Sequence, residues 1–332
     1  MKVAIIGAGL AGTAAAWALR QAGAEPVIYE AGGEIAPGAS GNPLGLYNPR
    51  LSAERSFYSD AFPLALKAFQ ELRDTDWNEC GALHLITDEK RQKKFTDAVK
   101  SWGWPRSEMR IVPKAEASAI AGVSINYDAL YLARSGTISP KKLCKAYASA
   151  IPVKLNAPIT NLGDVQADAI IVAAGMATKN LPLRAVRGQI TFVKATKASE
   201  KLKCNLCYGG YFSPVKRGEH ALGATFQRWL DHDQIIGDDD YDNIEKLVRV
   251  APELADGLEI IGQRAAVRTT SPDHFPVIGH LRDNIYVSTG HGSHGIVSSI
   301  AAAHILTNMI LQRPLPFPAA TIQKISPGRF ST

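Results

Sequence analysis

The residues best suited to chemistry lie in a glycine-rich turn close to the start of the chain, Gly7-Ala8-Gly9-Leu10-Ala11-Gly12. Gly7 permits a tight turn, Gly9 lets a pyrophosphate approach the backbone, and Gly12 lets the following helix lie close to a sheet. Glu30 follows near the spacing expected for a carboxylate that accepts ribose hydroxyls and repels a 2′-phosphate, which disfavours NADP. The pattern therefore predicts a dinucleotide site, and the alternative is a glycine-rich turn that binds nothing.

Two further stretches of small residues are candidates for contact with the same ligand. The first is the loop that holds Gly38-Ala39-Ser40-Gly41-Asn42 and Gly45, and the second is Ala173-Ala174-Gly175 at the end of an apolar run. Small side chains let backbone amides reach a ligand. We expect Ser40, Gly41, Asn42, Gly45, Ala174 and Gly175 to contact the cofactor.

A second glycine turn occurs near the other end of the chain, Gly290-His291-Gly292-Ser293-His294-Gly295, and a long apolar helix from Ile296 to Leu311 follows it. Two such turns are hard to reconcile with a simple NAD dehydrogenase. They favour an extended FAD, with its diphosphate at the first turn and its redox ring at the second. The N-terminus of the second helix would stabilise negative charge on a reduced flavin.

The elements that must position these turns alternate between strand and helix. Apolar runs predict strands at Lys2–Ile6, Pro26–Tyr29, Ala167–Ala173 and Asn284–Thr289. From Ile190 to Phe226 the chain alternates and turns like an antiparallel sheet. We therefore predict an α/β fold, in which a Rossmann-like FAD-binding domain carries an inserted antiparallel β-sheet substrate domain. The predicted cofactor domain comprises residues 1–80, 135–187 and 265–332, and the substrate domain residues 81–134 and 188–264.

Composition limits the class of protein. The chain has 332 residues, of which 46% are hydrophobic and 20% charged, as is typical of a globular protein. It has no apolar run long enough for a membrane span or a signal peptide. We expect a cytoplasmic protein with no membrane contact. The net charge of +6 is a mild indication of an anionic partner.

Several other features are expected to be structural. Cys204 and Cys207 form one C-x-x-C pair without a second pair nearby, so we expect reduced thiols and no metal site. The acidic run Asp238–Asp240 is expected to be a solvated loop. Two groups of basic residues are either solvated helix faces or anion-binding surfaces: Lys90, Arg91, Lys93 and Lys94, and Lys141, Lys142 and Lys145.

The glycine motif with Glu30, Ala173–Gly175, Arg187-Gly188-Gln189, Tyr211-Phe212-Ser213-Pro214 and the segment from Arg268 to Gly279 together resemble the D-amino-acid-oxidase-like FAD oxidoreductases, which include glycine and sarcosine oxidases. This resemblance covers nearly the whole chain and implies hydride transfer to FAD from a carbon next to nitrogen. It implies that Arg268 clamps the substrate carboxylate and that Tyr211 contacts the substrate. It calls for no catalytic acid or base, so we assign no catalytic histidine.

Three stretches resemble one branch more closely: Gly38–Asn42, Gly290–Gly295 and Ser326-Pro327-Gly328-Arg329-Phe330. They are similar to the FAD-dependent C-terminal half of the bifunctional tRNA 5-methylaminomethyl-2-thiouridine biosynthesis family. That resemblance implies removal of the carboxymethyl group from 5-carboxymethylaminomethyl uridine at the tRNA wobble position, with glyoxylate as a product. Because Met1 already lies at the first strand, we expect any methylation step to belong to another protein or to be absent.

Three functions stay open on the sequence alone. The first is an FAD-dependent oxidoreductase of tRNA wobble uridine, favoured by the net positive charge of the chain and by the stretch from Ser326 to Phe330. The second is a small-molecule amino-acid or secondary-amine oxidase, whose substrate carboxylate Arg268 would also bind. The third is a non-catalytic protein that retains a dinucleotide.

Overall fold

A computed structural model describes residues 1–330; residues 331 and 332, the end of the predicted cofactor domain, lie outside the described residues. The strands are β1 (Lys2–Ile6), β2 (Glu25–Tyr29), β3 (Gly45–Tyr47), β4 (Ala82–Leu85), β5 (Met109–Val112), β6 (Ala129–Leu132), β7 (Gly136–Ile138), β8 (Val153–Lys154), β9 (Ala169–Val172), β10 (Arg184–Lys194), β11 (Asn205–Cys207), β12 (Tyr211–Phe212), β13 (Glu219–Gly223), β14 (Ile260–Thr270), β15 (Val277–Arg282) and β16 (Ile285–Thr289). The helices are α1 (Leu10–Gln21), α2 (Phe57–Glu71), α3 (Glu89–Trp102), α4 (Lys114–Ala121), α5 (Pro140–Tyr147), α6 (Gly237–Val248), α7 (Pro252–Ala255), α8 (Gly295–Ile310) and α9 (Ala319–Ile325). Along residues 1–330, every helix is too short or too polar to traverse a bilayer.

The first sheet is organised around β1 and has the strand order β15-β16-β9-β1-β2-β8. β1 pairs in parallel with β2 and β9, and β9 pairs in parallel with β16. The apolar run at Ala169–Val172 is therefore an interior strand, as expected for residues buried on both faces of a parallel sheet. This arrangement confirms the predicted Rossmann-like α/β part of the fold.

The second sheet has the order β14-β10-β13-β12-β11-β4-β6-β5 and is antiparallel except where β11 runs parallel to β4. The predicted antiparallel sheet is thus confirmed. The predicted domain boundaries at 187/188 and 264/265 fall inside β10 and β14, two strands that pair from Arg184–Thr270 to Val193–Ile260. The assignment of residues to two domains stays a prediction.

The first helix lies directly on the first sheet because glycine occupies both sides of the contact. A Cβ atom on Gly12 would lie only 1.9 Å from the carbonyl oxygen of Gly7. The buried face of α1 presents small side chains, including Ala14, Ala15 and Ala18, to a core that it shares with α8. A side chain at Gly12 would push α1 off the sheet and move the whole first turn.

The prediction of a solvated loop for the acidic run was wrong, because the run forms the first turn of α6 and only Asp238 is exposed. Asp239 and Asp240 lie in the first turn of α6 and are 2% and 3% exposed. Asp239 pairs with the fully buried Arg187 of β10, and Asp240 accepts hydrogen bonds from Thr191 Oγ1 (2.6 Å) and Gln189 Nε2 (3.0 Å). Burial of a charged group requires such partners. The partners lie more than forty positions away, on strand β10, so local sequence could not indicate them.

Candidate active site

A large cavity of about 1170 Å³ is lined by residues of both sheets. Its volume exceeds the roughly 300–1,000 Å³ of most small-molecule sites, which suits a long ligand together with a substrate. Of the predicted site residues, the following line it: Gly7, Gly9, Leu10, Ala11, Glu30, Ser40, Asn42, Gly45, Ala174, Gly175, Tyr211, Arg268, Gly290, Gly292, Ser293, His294, Gly295 and Ile296. The structure thus brings two glycine turns from opposite ends of the chain to one cavity.

The first turn ends in the N-terminus of α1. Gly7 has a φ of 109°, and a Cβ there would lie 2.5 Å from the carbonyl oxygen of Ala173, so only glycine fits. Ser40 Oγ accepts a hydrogen bond from the Leu10 N–H at 3.0 Å and thereby fixes the start of the helix. The positive end of the α1 dipole therefore points into a groove of small residues, an arrangement that favours a phosphate group.

Glu30 directly follows β2, and its carboxylate accepts hydrogen bonds from the backbone of two loops. Its Oε2 accepts from the Ala8 N–H at 2.7 Å and its Oε1 accepts from the Gly32 N–H at 2.8 Å. A carboxylate has further lone pairs after two such bonds. Because Glu30 also lines the cavity, those lone pairs suit the ribose hydroxyls that the sequence predicted.

The two histidines of the second turn, His291 and His294, make different contacts. His291 Nε2 lies 3.1 Å from Ser288 Oγ and its Nδ1 lies 2.8 Å from Ser298 Oγ, so its ring ties β16 to α8. His294 packs its ring against Tyr58 at 5.3 Å between centroids. Burial lowers the pKa of each histidine to about 4. Both rings are therefore neutral near pH 7.

Arg268 lies on β14 with its guanidinium directly over Gly188 of β10. A Cβ on Gly188 would lie 2.2 Å from Arg268 Nη1, which gives a reason for glycine in the Arg-Gly-Gln motif. Arg268 forms no ion pair with any residue in 1–330, and its Nη1 lies 3.5 Å from the Thr225 carbonyl oxygen. Burial lowers the pKa of Arg268, and the nearby Tyr211 hydroxyl opposes that decrease. A guanidinium with five N–H donors and so few protein acceptors is suited to an anionic ligand.

Tyr211 lies on β12 and shares the cavity with Arg268. Burial raises the pKa of its hydroxyl to about 12, although the positive charge of Arg268 opposes the increase. The phenol is therefore protonated at neutral pH and can donate a hydrogen bond to a ligand.

Sequence reasoning missed Asn48 and Arg264. Asn48 lines the cavity, and its Oδ1 is a buried acceptor without a hydrogen-bond partner in residues 1–330. Arg264 holds the small-residue loop from outside: its Nη1 donates to Asn42 Oδ1 and its Nη2 donates to the Gly38 carbonyl oxygen, each at 2.6 Å. The loop and β14 are far apart in sequence, so no local signal connects them.

The orphaned acceptor of Asn48, the glycine-lined groove at α1 and the carboxylate of Glu30 together fit a dinucleotide with a hydrogen-bonding ring system. Gly12 and Gly41, both predicted cofactor contacts, do not line the cavity. Gly12 supports α1, and a Cβ on Gly41 would lie 2.5 Å from the Ala36 carbonyl oxygen and 2.7 Å from Arg264 Nη2. Both glycines therefore support the residues that line the cavity without lining it themselves.

Replacing Arg264 by alanine is expected to weaken FAD binding by about tenfold, because two charge-assisted hydrogen bonds that order the Gly38–Asn42 loop are lost. The Kd of the apoprotein for FAD, measured by flavin fluorescence, tests this. Arg249→Ala, at an exposed position directly after α6, is the matched control. An unchanged Kd in Arg264→Ala would show that the loop holds its shape without this arginine.

Other sequence features are buried or already paired. Cys204 and Cys207 are buried free thiols whose pKa values burial raises, and Cys207 also lines the cavity. Lys141 and Lys142 pair with Glu34 and Asp76, each at 2.8 Å. Arg329 of the C-terminal stretch pairs with Asp273 at 2.8 Å. These contacts neutralise much of one predicted basic surface and give the Pro-Gly-Arg-Phe stretch a structural role.

The parallel sheet, the two glycine turns and the large cavity define a dinucleotide-dependent oxidoreductase. The chain belongs to the FAD dependent oxidoreductase family, DAO, whose model matches residues 2–309. Its cofactor is FAD, as predicted.

Similar proteins agree with this assignment. The chain is 31% identical to the tRNA 5-methylaminomethyl-2-thiouridine biosynthesis bifunctional protein MnmC of Pseudomonas syringae pv. syringae, with 99% of this chain and 58% of the relative covered. It is 30% identical to the protein of the same name in Chromobacterium violaceum, with 98% and 59% covered. The chain thus spans less than two thirds of the length of these relatives. The structure is similar to glycine oxidase from Geobacillus kaustophilus, with a TM-score of 0.82, 20% identity and 99% of both chains covered.

Proposed function

We propose that this FAD-dependent oxidoreductase removes the carboxymethyl group from 5-carboxymethylaminomethyl uridine, with or without a 2-thio group, in tRNA. The observation that carries the proposal is Arg268, a cavity-lining guanidinium with no ion pair in residues 1–330. The carboxymethyl group ends in a carboxylate, for which such a guanidinium is the natural partner. The relatives named for tRNA 5-methylaminomethyl-2-thiouridine biosynthesis match along 99% of this chain, which favours a tRNA substrate. A tRNA substrate would place the enzyme in the cytoplasm.

The residues that would hold FAD are those of the two turns and the loop between them. The amides at the start of α1 would bind the diphosphate, Glu30 the ribose, and the N-terminus of α8 the ring. When bound, FAD supplies a two-electron acceptor for the hydride of the carbon next to nitrogen. Hydrolysis of the resulting substrate imine gives glyoxylate and an aminomethyl uridine.

The protein contributes orientation in this proposal. Arg268 would grip the carboxylate with two parallel hydrogen bonds and so fix the adjacent CH₂ group. Tyr211, protonated because burial raises its pKa to about 12, would donate a further hydrogen bond. His291 is occupied by two serine hydroxyls. No side chain needs to act as acid or base, because the substrate amine reacts in its neutral form.

The rate of substrate oxidation is expected to rise with pH along a single ionisation, that of the substrate amine, between about pH 5 and 9. The two histidines at the cavity contribute no step, since burial lowers the pKa of each to about 4. Stopped-flow measurement of kcat/KM against pH checks this. A second ionisation near pH 6.5 that His294→Asn removes would contradict it.

From the lowered pKa values of His291 and His294, we expect the folded protein to be less stable in acid. Their pKa values are lower in the folded protein than the ordinary value near 6.5, so the unfolded chain binds more protons between about pH 6.5 and 4. Stability is therefore expected to fall as the pH decreases through that window. Thermal unfolding of the holoprotein at a series of pH values measures the effect.

A second candidate is an oxidase of a small amino acid such as glycine or sarcosine, because Arg268 could bind that carboxylate equally well. Two assays separate the candidates. Nucleoside analysis of tRNA from a deletion strain should show accumulation of carboxymethylaminomethyl uridine under the first proposal. Hydrogen peroxide release from glycine or sarcosine by the purified protein, with unaltered tRNA in the deletion strain, would favour the second.

A further inference from the structure

The loop that follows β13 carries exposed aromatic side chains at the mouth of the cavity. Trp229 is 76% exposed, the highest value among the large hydrophobic residues in 1–330, and Phe226 is 46% exposed. Phe226 also lines the cavity. A tryptophan side chain that stays exposed to water does not stabilise the folded protein by burial. Exposed apolar groups beside a substrate cavity mark contact sites.

Arginines surround the same part of the mouth. Arg228 lies over the Phe226 ring at 5.4 Å, and Arg50 donates to the His274 carbonyl oxygen at 2.8 Å. Arg184 begins β10 opposite Thr270. None of these three arginines forms an ion pair within the described residues 1–330. Thr270 Oγ1 in turn lies 3.5 Å from His274 Nδ1, so Arg50 and Arg184 lie close to the same histidine. Burial lowers the pKa of His274, and the positive charges of Arg50, Arg228 and Arg184 lower it further, while Asp273 opposes them.

A further arginine lies beside another residue of the cavity. A Cβ on the cavity residue Gly209 would lie 3.3 Å from Arg91 Nη2, so this arginine of α3 reaches the cavity edge. Of the acidic groups near these arginines, Asp231 lines the cavity, whereas Asp88 pairs with Arg91 at 3.6 Å and Asp273 pairs with Arg329 at 2.8 Å. The mouth therefore combines exposed π-faces with an excess of positive charge.

We propose that Phe226, Arg228 and Trp229, here called the rim loop, stack on the unpaired nucleotides that flank the modified uridine of an RNA substrate. The inference rests on the proposed function, since those nucleotides must lie at the mouth when the uridine enters the cavity. Aromatic rings and guanidinium planes are the groups on which unpaired bases stack, and arginines nearby bind the phosphates. A free amino acid, bound wholly within the cavity, would contact neither Arg228 nor Trp229, which do not line it.

The test is equilibrium binding of a fluorescein-labelled anticodon stem–loop RNA to the holoprotein, followed by anisotropy. Trp229→Ala is expected to raise the Kd by roughly tenfold, because one stacked base is lost, and Trp229→Phe to restore most of the affinity. Binding of a blunt RNA duplex of equal length should be unaffected, since it offers no unpaired base. Arg228→Gln should weaken binding and reduce the salt dependence by about one ion.

Tyr241→Ala is the matched control: this aromatic residue on α6 is 68% exposed and does not line the cavity. Its Kd should equal that of the wild type. If the wild type oxidises tRNA while Trp229→Ala binds the stem–loop as tightly as Tyr241→Ala, the rim-loop proposal alone fails. If the wild type neither binds nor oxidises the RNA, the proposed function fails with it. Loss of binding to phosphatidylglycerol vesicles, with RNA binding unchanged, would assign Trp229 to a membrane surface instead and overturn the proposal.

Discussion

Replacing Arg268 by lysine is expected to leave FAD bound and to lower kcat/KM by about 100-fold, which corresponds to about 2.7 kcal/mol of transition-state stabilisation. The guanidinium lies over Gly188 with its N–H donors largely free of protein acceptors. A lysine ammonium is a point charge that cannot form two parallel hydrogen bonds with a carboxylate. The carboxylate would still be attracted, but the adjacent CH₂ group would lose its fixed orientation. Steady-state kinetics with the flavin content measured by absorbance tests this.

The control for Arg268→Lys is Arg249→Lys, at an exposed position directly after α6, which should retain wild-type turnover. Retained flavin shows that the variant is folded, so a loss of activity reports on the substrate. Wild-type turnover in Arg268→Lys would refute the carboxylate clamp. Loss of flavin together with activity would instead show that Arg268 supports the cofactor.

Replacing Gly9 by valine is expected to weaken FAD binding on the order of a hundredfold and to yield a colourless protein after gel filtration. Gly9 has a φ of −78°, so a valine fits the backbone there. Its Cβ would lie 3.1 Å from Ser40 Oγ, and its methyl groups would occupy the groove in which a diphosphate approaches α1. The fold should survive, unlike in Gly12→Ala, where the new Cβ meets the carbonyl oxygen of Gly7 at 1.9 Å.

Gly237→Ala is a suitable control for Gly9→Val, because a Cβ at this position of α6 meets nothing within 4 Å. Thermal unfolding of the two apoproteins should give similar midpoints. A yellow Gly9→Val protein that keeps its flavin through gel filtration would exclude diphosphate binding at this turn.

The parts of the site that sequence predicted are those encoded locally. The first turn and Glu30 occur within thirty residues of one strand–helix–strand unit, and their spacing follows from the geometry of that unit. The second turn was predicted because a glycine run directly precedes an apolar helix. In each case the residues that act together are neighbours in sequence, and the structure places them on the same cavity.

The parts that sequence missed depend on pairing between distant strands. Arg187 and Asp239 meet because β10 lies beneath α6, and Arg264 reaches Asn42 because the middle of β14 lies beside the loop after β2. The periodicity of hydrophobic residues along the sequence does not indicate such contacts. The start of α2 at Phe57 likewise depends on a specific contact: the backbone N–H of Ser56 donates to Ser59 Oγ at 2.9 Å and caps the helix there.

The most direct test of the account is anaerobic mixing of the FAD-bound protein with tRNA that carries carboxymethylaminomethyl uridine, with glycine in a parallel experiment. The account predicts that this tRNA bleaches the flavin absorbance and releases glyoxylate, that Arg268→Lys slows the bleaching by about 100-fold, and that glycine has little effect. Bleaching by glycine but not by the tRNA would contradict the account, as would a protein that binds no FAD.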